Sequence, residues 1–287
     1  MFTHCIRYIF LAVLSIQSIS CIFDGDSDCP VRGYAAEVSV KDINYDNIKN
    51  FPHVEVKDKD MPFHNFAGTV YYVLSDMSGK HVSESAVLPV SGDGRTYTIP
   101  FGDVPEGEYV LSVWGNLTGG YPAGALHPDG QEYTDIYVGS CTVCLDCAHR
   151  TTELALERTK GLLLLSCSGF PDDVSWIKMS VSGVCRSVDA DFNYAGSVNV
   201  EKVMPFQPFT TTLLSPSASG ASVLRLSFHT GNPATSEPFL ELPDIDLSVC
   251  RNEISSVAID YHDEAGMYEV RMFINEHWVM IHRLYIK

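Results

Sequence analysis

Thr152-Glu153-Leu154-Ala155-Leu156-Glu157-Arg158-Thr159-Lys160-Gly161-Leu162-Leu163-Leu164-Leu165 is the stretch whose reading decides the fold class. Its Leu, Ala, Glu, Arg and Lys content suits a helix. Gly161 interrupts such a helix, at a cost of about 1 kcal/mol relative to Ala. Four consecutive Leu side chains also suit a strand buried on both faces. The stretch therefore reads as two extended segments, and the chain as all-β.

Outward from it the same period-two signal recurs on both sides. Gly107 to Trp114 puts Tyr109, Leu111 and Val113 on one face and Val110, Ser112 and Trp114 on the other. Ala67–Leu74 and Ala86–Val90 flank the turn Ser78-Gly79-Lys80, Arg95–Phe101 follows Ser91-Gly92-Asp93-Gly94, and Asp135–Val138 follows a loop containing Pro122, Pro128 and Gly130. Beyond the central stretch, strands are predicted at Val174–Val184, Ser197–Met204, Ser222–His229, Glu253–Tyr261, Tyr268–Ile274 and Val279–Ile286. Turn residues such as Pro171-Asp172-Asp173 and Gly231-Asn232-Pro233 separate them. Short strands at close spacing predict two β-sandwiches in tandem, residues 31–148 and 149–287. The segment from Asp42 to Asn50 has no regular pattern.

Composition supports two ordinary cores, with 45% hydrophobic and 19% charged residues in a chain of 287. The formal charge of −17 repels phosphate backbones and anionic headgroups, which excludes nucleic acid as a partner and electrostatic docking to lipid.

Residues 1–20 read as a secretory signal. Arg7 precedes the apolar run Tyr8–Ile16, which is about half of the roughly 20 residues a spanning helix needs. The small residues before Cys21 resemble a bacterial lipoprotein signal, in which that Cys becomes the acylated first residue; Ser18 stands where an aliphatic residue is usual. Residues 21–30 form a polar, acidic tether. Asp24, Asp26 and Asp28 are spaced like the start of a calcium loop, but Cys29 and Ala35 occupy the places that require Gly and Glu.

Several motifs in this order resemble the fimbrillin-associated anchor family of Bacteroidales. They are the signal ending at Cys21, Asp28-Cys29-Pro30, Val104-Pro105-Glu106-Gly107-Glu108-Tyr109 leading into Val113-Trp114-Gly115-Asn116, Leu156-Glu157-Arg158, and Phe273-Ile274-Asn275 with Trp278. The resemblance implies two transthyretin-like β-sandwich domains behind a lipid anchor at Cys21. It also implies a non-enzymatic lipoprotein of the cell outer membrane, surface-exposed and without a cofactor, that holds a fimbria and influences its length. Its partners would be fimbrial shaft or accessory subunits and outer-membrane lipid. The competing reading is a surface lipoprotein that binds a glycan or another small ligand, for which Trp114, Trp176 and Trp278 are the candidate stacking residues.

Cys141, Cys144, Cys147 and His149 form the sharpest chemical cluster. Three thiols and an imidazole at this spacing could hold a tetrahedral metal. Outside the cytoplasm disulfides are favoured instead, with Cys29, Cys167, Cys185 and Cys250 available as partners. Catalytic signatures are missing: there is no Gly-x-Ser-x-Gly, phosphate loop or His-Glu-x-x-His. His277 and His282, five apart, are expected on opposite faces of a strand. The extended, apolar-rich end of the chain, through Arg283, Leu284, Tyr285, Ile286 and Lys287, is the candidate subunit-contact strand, since a terminal strand is exchanged more easily than an internal one. The alternative is that it completes the second sandwich through Phe273, Trp278 and Leu284.

Overall fold

The computed structural model describes residues 33–145 and 151–285; the signal, the tether, Cys21, Cys147, His149, Ile286 and Lys287 lie outside them. Its strands, in chain order, are β1 (Ala35–Val40), β2 (Thr69–Asp76), β3 (Val82–Pro89), β4 (Tyr97–Pro100), β5 (Gly107–Gly115), β6 (Ala123–Ala125), β7 (Tyr137–Leu145), β8 (Thr151–Arg158), β9 (Gly161–Ser168) and β10 (Trp176–Val184). There follow β11 (Ser187–Asp189), β12 (Tyr194–Ala195), β13 (Val198–Pro205), β14 (Phe209–Leu214), β15 (Ser222–His229), β16 (Leu240–Glu241), β17 (Ile245–Leu247), β18 (Ile254–His262), β19 (Met267–Ile274) and β20 (His277–Tyr285). Among the described residues the only helices are single 3-10 turns. The fold is all-β, in two sandwiches.

The first sandwich sets β3-β2-β5-β7 against β8-β1-β4. The two layers join at one corner, where β7 and β8 pair only through Tyr137–Arg158 and Val138–Glu157. Val38, Ile99 and Leu156 from one layer meet Tyr72, Leu111 and Val143 from the other in a common core. The second sandwich sets β13-β10-β15, edged by β16 and β17, against β14-β9-β18-β19-β20. Leu163, Leu165, Val257 and Val270 there meet Ile177, Met179, Leu226 and Phe228.

The tetraleucine strand behaves as its sequence requires. Leu163 and Leu165 face the core between the sheets, while Leu162 and Leu164 face outward and are covered by Phe51. Phe51 directly follows the patternless segment after β1, which crosses from the first sandwich to lie on the second. Burying a Leu on either face contributes about 1.5–3 kcal/mol, so both faces of β9 stabilise the fold. Gly161 is required for a second reason: a Cβ there would stand 2.2 Å from the Cys250 carbonyl oxygen and 2.9 Å from that of Glu253.

Three features depart from the sequence reading. β8 pairs in parallel with β1, from Ala35–Thr151 to Val40–Leu156, and so belongs to the first sandwich. The chain therefore crosses at Thr159-Lys160 rather than at residues 148/149, and the described residues from Tyr34 onward form one compact unit. β7 continues through Cys141 and Cys144 to Leu145, held by its full antiparallel register with β5. β1 and β14 are strands without a prediction: Ala-Ala-Glu-Val-Ser-Val and Phe-Thr-Thr-Thr-Leu-Leu carry little apolar contrast, and neighbours in the sheet hold them.

Candidate subunit-contact strand

Among the described residues β20 is the last strand of its sheet and pairs with β19 alone. An edge strand leaves one row of backbone donors and acceptors without a strand partner, and proteins commonly shorten, charge or cover such edges. Here nine residues run with Trp278, Val279, Met280, Leu284 and Tyr285 exposed, Tyr285 by 72%. Ile281 alone of the strand's apolar residues packs against the second core. The expected filling of the sandwich by Trp278 and Leu284 is thus partial. Trp278 meets Phe273 edge-on at 5.4 Å, as Phe51 does at 5.2 Å; the Arg271 guanidinium lies 5.9 Å from the Trp278 ring centre, and the side chain stays 45% exposed.

A bulge places Ile281 between the pairs Val270–His282 and Arg271–Met280. The extra residue shifts the alternation by one. His277, opposite Ile274, and His282, opposite Val270, consequently share a face, which corrects the expectation of opposite faces. Arg283 donates to Glu269 on β19 at 2.7 Å, and Arg271 pairs with Asp260 on β18. These cross-strand pairs hold the outer face of β19 and β20 in register.

The cysteine segment does not gather its described members. Cys141 packs against the first core beside Val143 and Leu145, and burial pushes its thiol up. Cys144 is exposed and stands three residues along the same strand, on the other face, opposite Glu108. Among the described residues Cys141, Cys167, Cys185 and Cys250 form no disulfide with one another; burial, with Asp260 adding to it, pushes Cys167 up to about 12. The three tryptophans stand on three different sheets, and Trp114 is fully buried, so they build no common platform.

Sequence reasoning missed the buried polar joint between the sandwiches. Arg158 ends β8 at 2% exposure; its backbone N–H donates to Asp42 at 2.9 Å and its Nε to Asp135 at 2.7 Å. Nη2 donates to the Tyr137 hydroxyl, Nη1 to Asn252, and the guanidinium lies 4.3 Å from the Tyr45 ring centre. Arg251 reaches back to Glu157, and Lys160 donates to the Tyr133 carbonyl. The strand pair β6–β11 adds a second bridge between the lobes. The only sequence signal was Glu157-Arg158 itself, two charges ending a strand.

No protein-family model matches the sequence, and no curated protein matches it. Solved structures do. The fimbrial anchor protein Mfa2 from Porphyromonas gingivalis superposes with a TM-score of 0.53 at 14% identity, over 87% of this chain and 100% of that one. The chain has the fold of a Bacteroidales fimbrial protein. A candidate adhesin from Bacteroides ovatus matches with a TM-score of 0.54 at 11% identity, over 87% and 95% of the two chains. A candidate polysaccharide-binding protein from Bacteroides thetaiotaomicron matches with 0.54 at 13%, over 87% and 98%.

Proposed function

We propose that this chain is a structural lipoprotein of the outer membrane, acylated at Cys21, that anchors a fimbria to the cell surface and influences its length and assembly. The observation that carries the reading is β20: a long edge strand, rich in exposed apolar side chains, whose outer side has no strand partner among the described residues. A shaft or accessory subunit adding a strand there gains main-chain hydrogen bonds for affinity, and the exposed side chains at 277–280 and 283–285 set its register. The fold in common with a fimbrial anchor supports the same reading. Lipid attached at Cys21 would supply the membrane end of the link, and two or more acyl chains make such attachment stable.

The test is deletion of the coding sequence. Strand contacts hold shaft subunits to one another, but in this reading nothing else joins the shaft to lipid. Fimbriae should appear in the medium, with altered length, while shaft subunits still polymerise. Cell-bound fimbriae of normal length in the deletion strain would refute the anchor. Cys21→Ala should reproduce the release and move the protein from the detergent-extracted fraction to the soluble one.

A further inference from the structure

At the end of the second sandwich, where β17 leads into β18, lies a cleft of about 680 Å³. One wall comes from residues 46–50 of the first lobe, and another from the turn between β19 and β20. Its charges are unbalanced, with Asp46, Asp246, Glu253 and Glu276 against the ammonium of Lys49. Asp46 is already engaged, accepting from Asn252 Nδ2 at 2.8 Å.

Ser256 also lines the cleft; it is 2% exposed, and its hydroxyl has no hydrogen-bond partner in the protein. A buried polar group without a partner is uncommon and asks for one. At the mouth, Lys49 Nζ stands 3.6 Å from Glu276 Oε1, both side chains mostly exposed, so the site already faces an ammonium group. Leu247, Ile254 and Met272 supply apolar wall. A long basic side chain buries its stem on such a wall while its charged head stays with polar groups.

We propose that this cleft binds an alkyl-ammonium or alkyl-guanidinium group on an aliphatic stem. That chemistry belongs both to a lysine or arginine side chain of a partner polypeptide and to a free polyamine. The carboxylates balance the cation, Ser256 accepts one of its hydrogen bonds, and Lys49 competes with it for Glu276. A neutral sugar finds no ring to stack on, because Phe273, the aromatic residue of the wall, is met edge-on by both Phe51 and Trp278. The site is separate from strand capture at β20, and its failure leaves the anchor reading untouched.

The test is calorimetric titration of the purified full-length chain in detergent with three probes: a lysine-centred pentapeptide, its norleucine counterpart, and spermidine. The lysine peptide or spermidine should bind, the stronger of the two identifying the source, and added salt should weaken binding. Asp246→Asn with Glu253→Gln should cost roughly tenfold in Kd, a loss of about 1.4 kcal/mol. Ser256→Ala should also weaken binding, and Lys49→Ala should strengthen it. Asp172→Asn with Asp173→Asn removes the same charge from an exposed turn and should change nothing. The proposal is overturned if norleucine binds as well as lysine, if the distant pair weakens binding equally, or if no cationic probe binds. A neutral oligosaccharide binding in place of the cations overturns it too.

Discussion

Arg158 Nη1 lies 2.6 Å from Asn252 Oδ1, so the last residue of the first sandwich is held by the loop that opens β18 in the second. Asn252 is suited to its side of the contact: its φ of 54° lies in the left-handed region, which Asn tolerates better than most residues. Its amide nitrogen donates onward to Asp46, which returns the link to the first lobe.

Removing the guanidinium leaves Asp135 without its ion-pair partner in a buried setting, where Asp135 Oδ1 already has no hydrogen bond. Arg158→Met should therefore destabilise the fold by about 3–5 kcal/mol, the usual cost of breaking a buried pair from one side. Asn252→Ala should cost about 1–3 kcal/mol. Urea unfolding of both variants and the double variant measures the coupling, and additive losses would show that the contact does not join the lobes.

His127, 3% exposed, makes a second link. Its Nε2 accepts the Ser215 backbone N–H at 3.0 Å, and its Nδ1 lies 3.2 Å from the Gln131 carbonyl, to which it can donate only as the Nδ1–H tautomer. A protonated ring could not accept from Ser215. Burial, and then the charge of Lys160, hold its pKa down to about 3. Between pH 3 and the unfolded value of about 6.5 the unfolded chain binds more protons. Stability should thus fall as pH drops through that window, by up to about 1.4 kcal/mol per unit. Burial similarly lowers Lys160 to about 8, so its contribution should rise with pH from about 8 to 10.5. Denaturation midpoints across pH should show the acid loss, and His127→Gln should flatten it; an equally steep acid limb in that variant would remove His127 as the cause.

How much of this was legible follows from where the determining contacts lie. The β9 strand was legible because its cause is local: Gly161 and four Leu side chains need burial on both faces wherever they are placed. β1 was not, because Ala35–Val40 is a strand through its register with β8 and β4, far away in the chain. The boundary was misplaced for the same reason, since parallel pairing of β8 with β1 leaves no mark in either segment. Arg158 was visible as a charge, but its partners Asp135, Tyr137 and Asn252 are assembled only by the fold. Val279 to Tyr285 form part of the strand read there, while the bulge at Ile281 that realigns His277 and His282 carries no Gly or Pro to announce it.

The cysteine segment yields a prediction from strand geometry. Side chains three apart on one strand point to opposite faces, so Cys141 and Cys144 do not converge on one tetrahedral ion while β7 keeps its pairing with β5. Elemental analysis of the purified chain should find well below one zinc per molecule, and Cys141→Ser should leave that value unchanged. One zinc per chain, lost on Cys144→Ser, would mean that this end of β7 rearranges around a metal.

The last prediction separates capture from folding at β20. Leu284 and Tyr285 are exposed, and among the described residues the Arg283 side chain pairs with Glu269 while staying mostly solvent-facing. Exposed substitutions and surface ion pairs of this kind usually change stability by no more than about 1 kcal/mol. Leu284→Lys with Tyr285→Lys should therefore leave the urea midpoint nearly unchanged; removal of residues 283–287 also takes three pairs with β19 and should lower the midpoint without unfolding the chain, since Ile281 and its contact with the core remain. Both changes strike the apolar, unpaired edge that an incoming strand would cover, and charged residues on an edge are a common means of preventing strand addition. Cells carrying either variant should display the protein at normal levels yet shed fimbriae, as the deletion strain does. Loss of folding in both variants would assign this segment to the core instead, and normal fimbriae on cells with a folded variant would place the shaft contact elsewhere on the molecule.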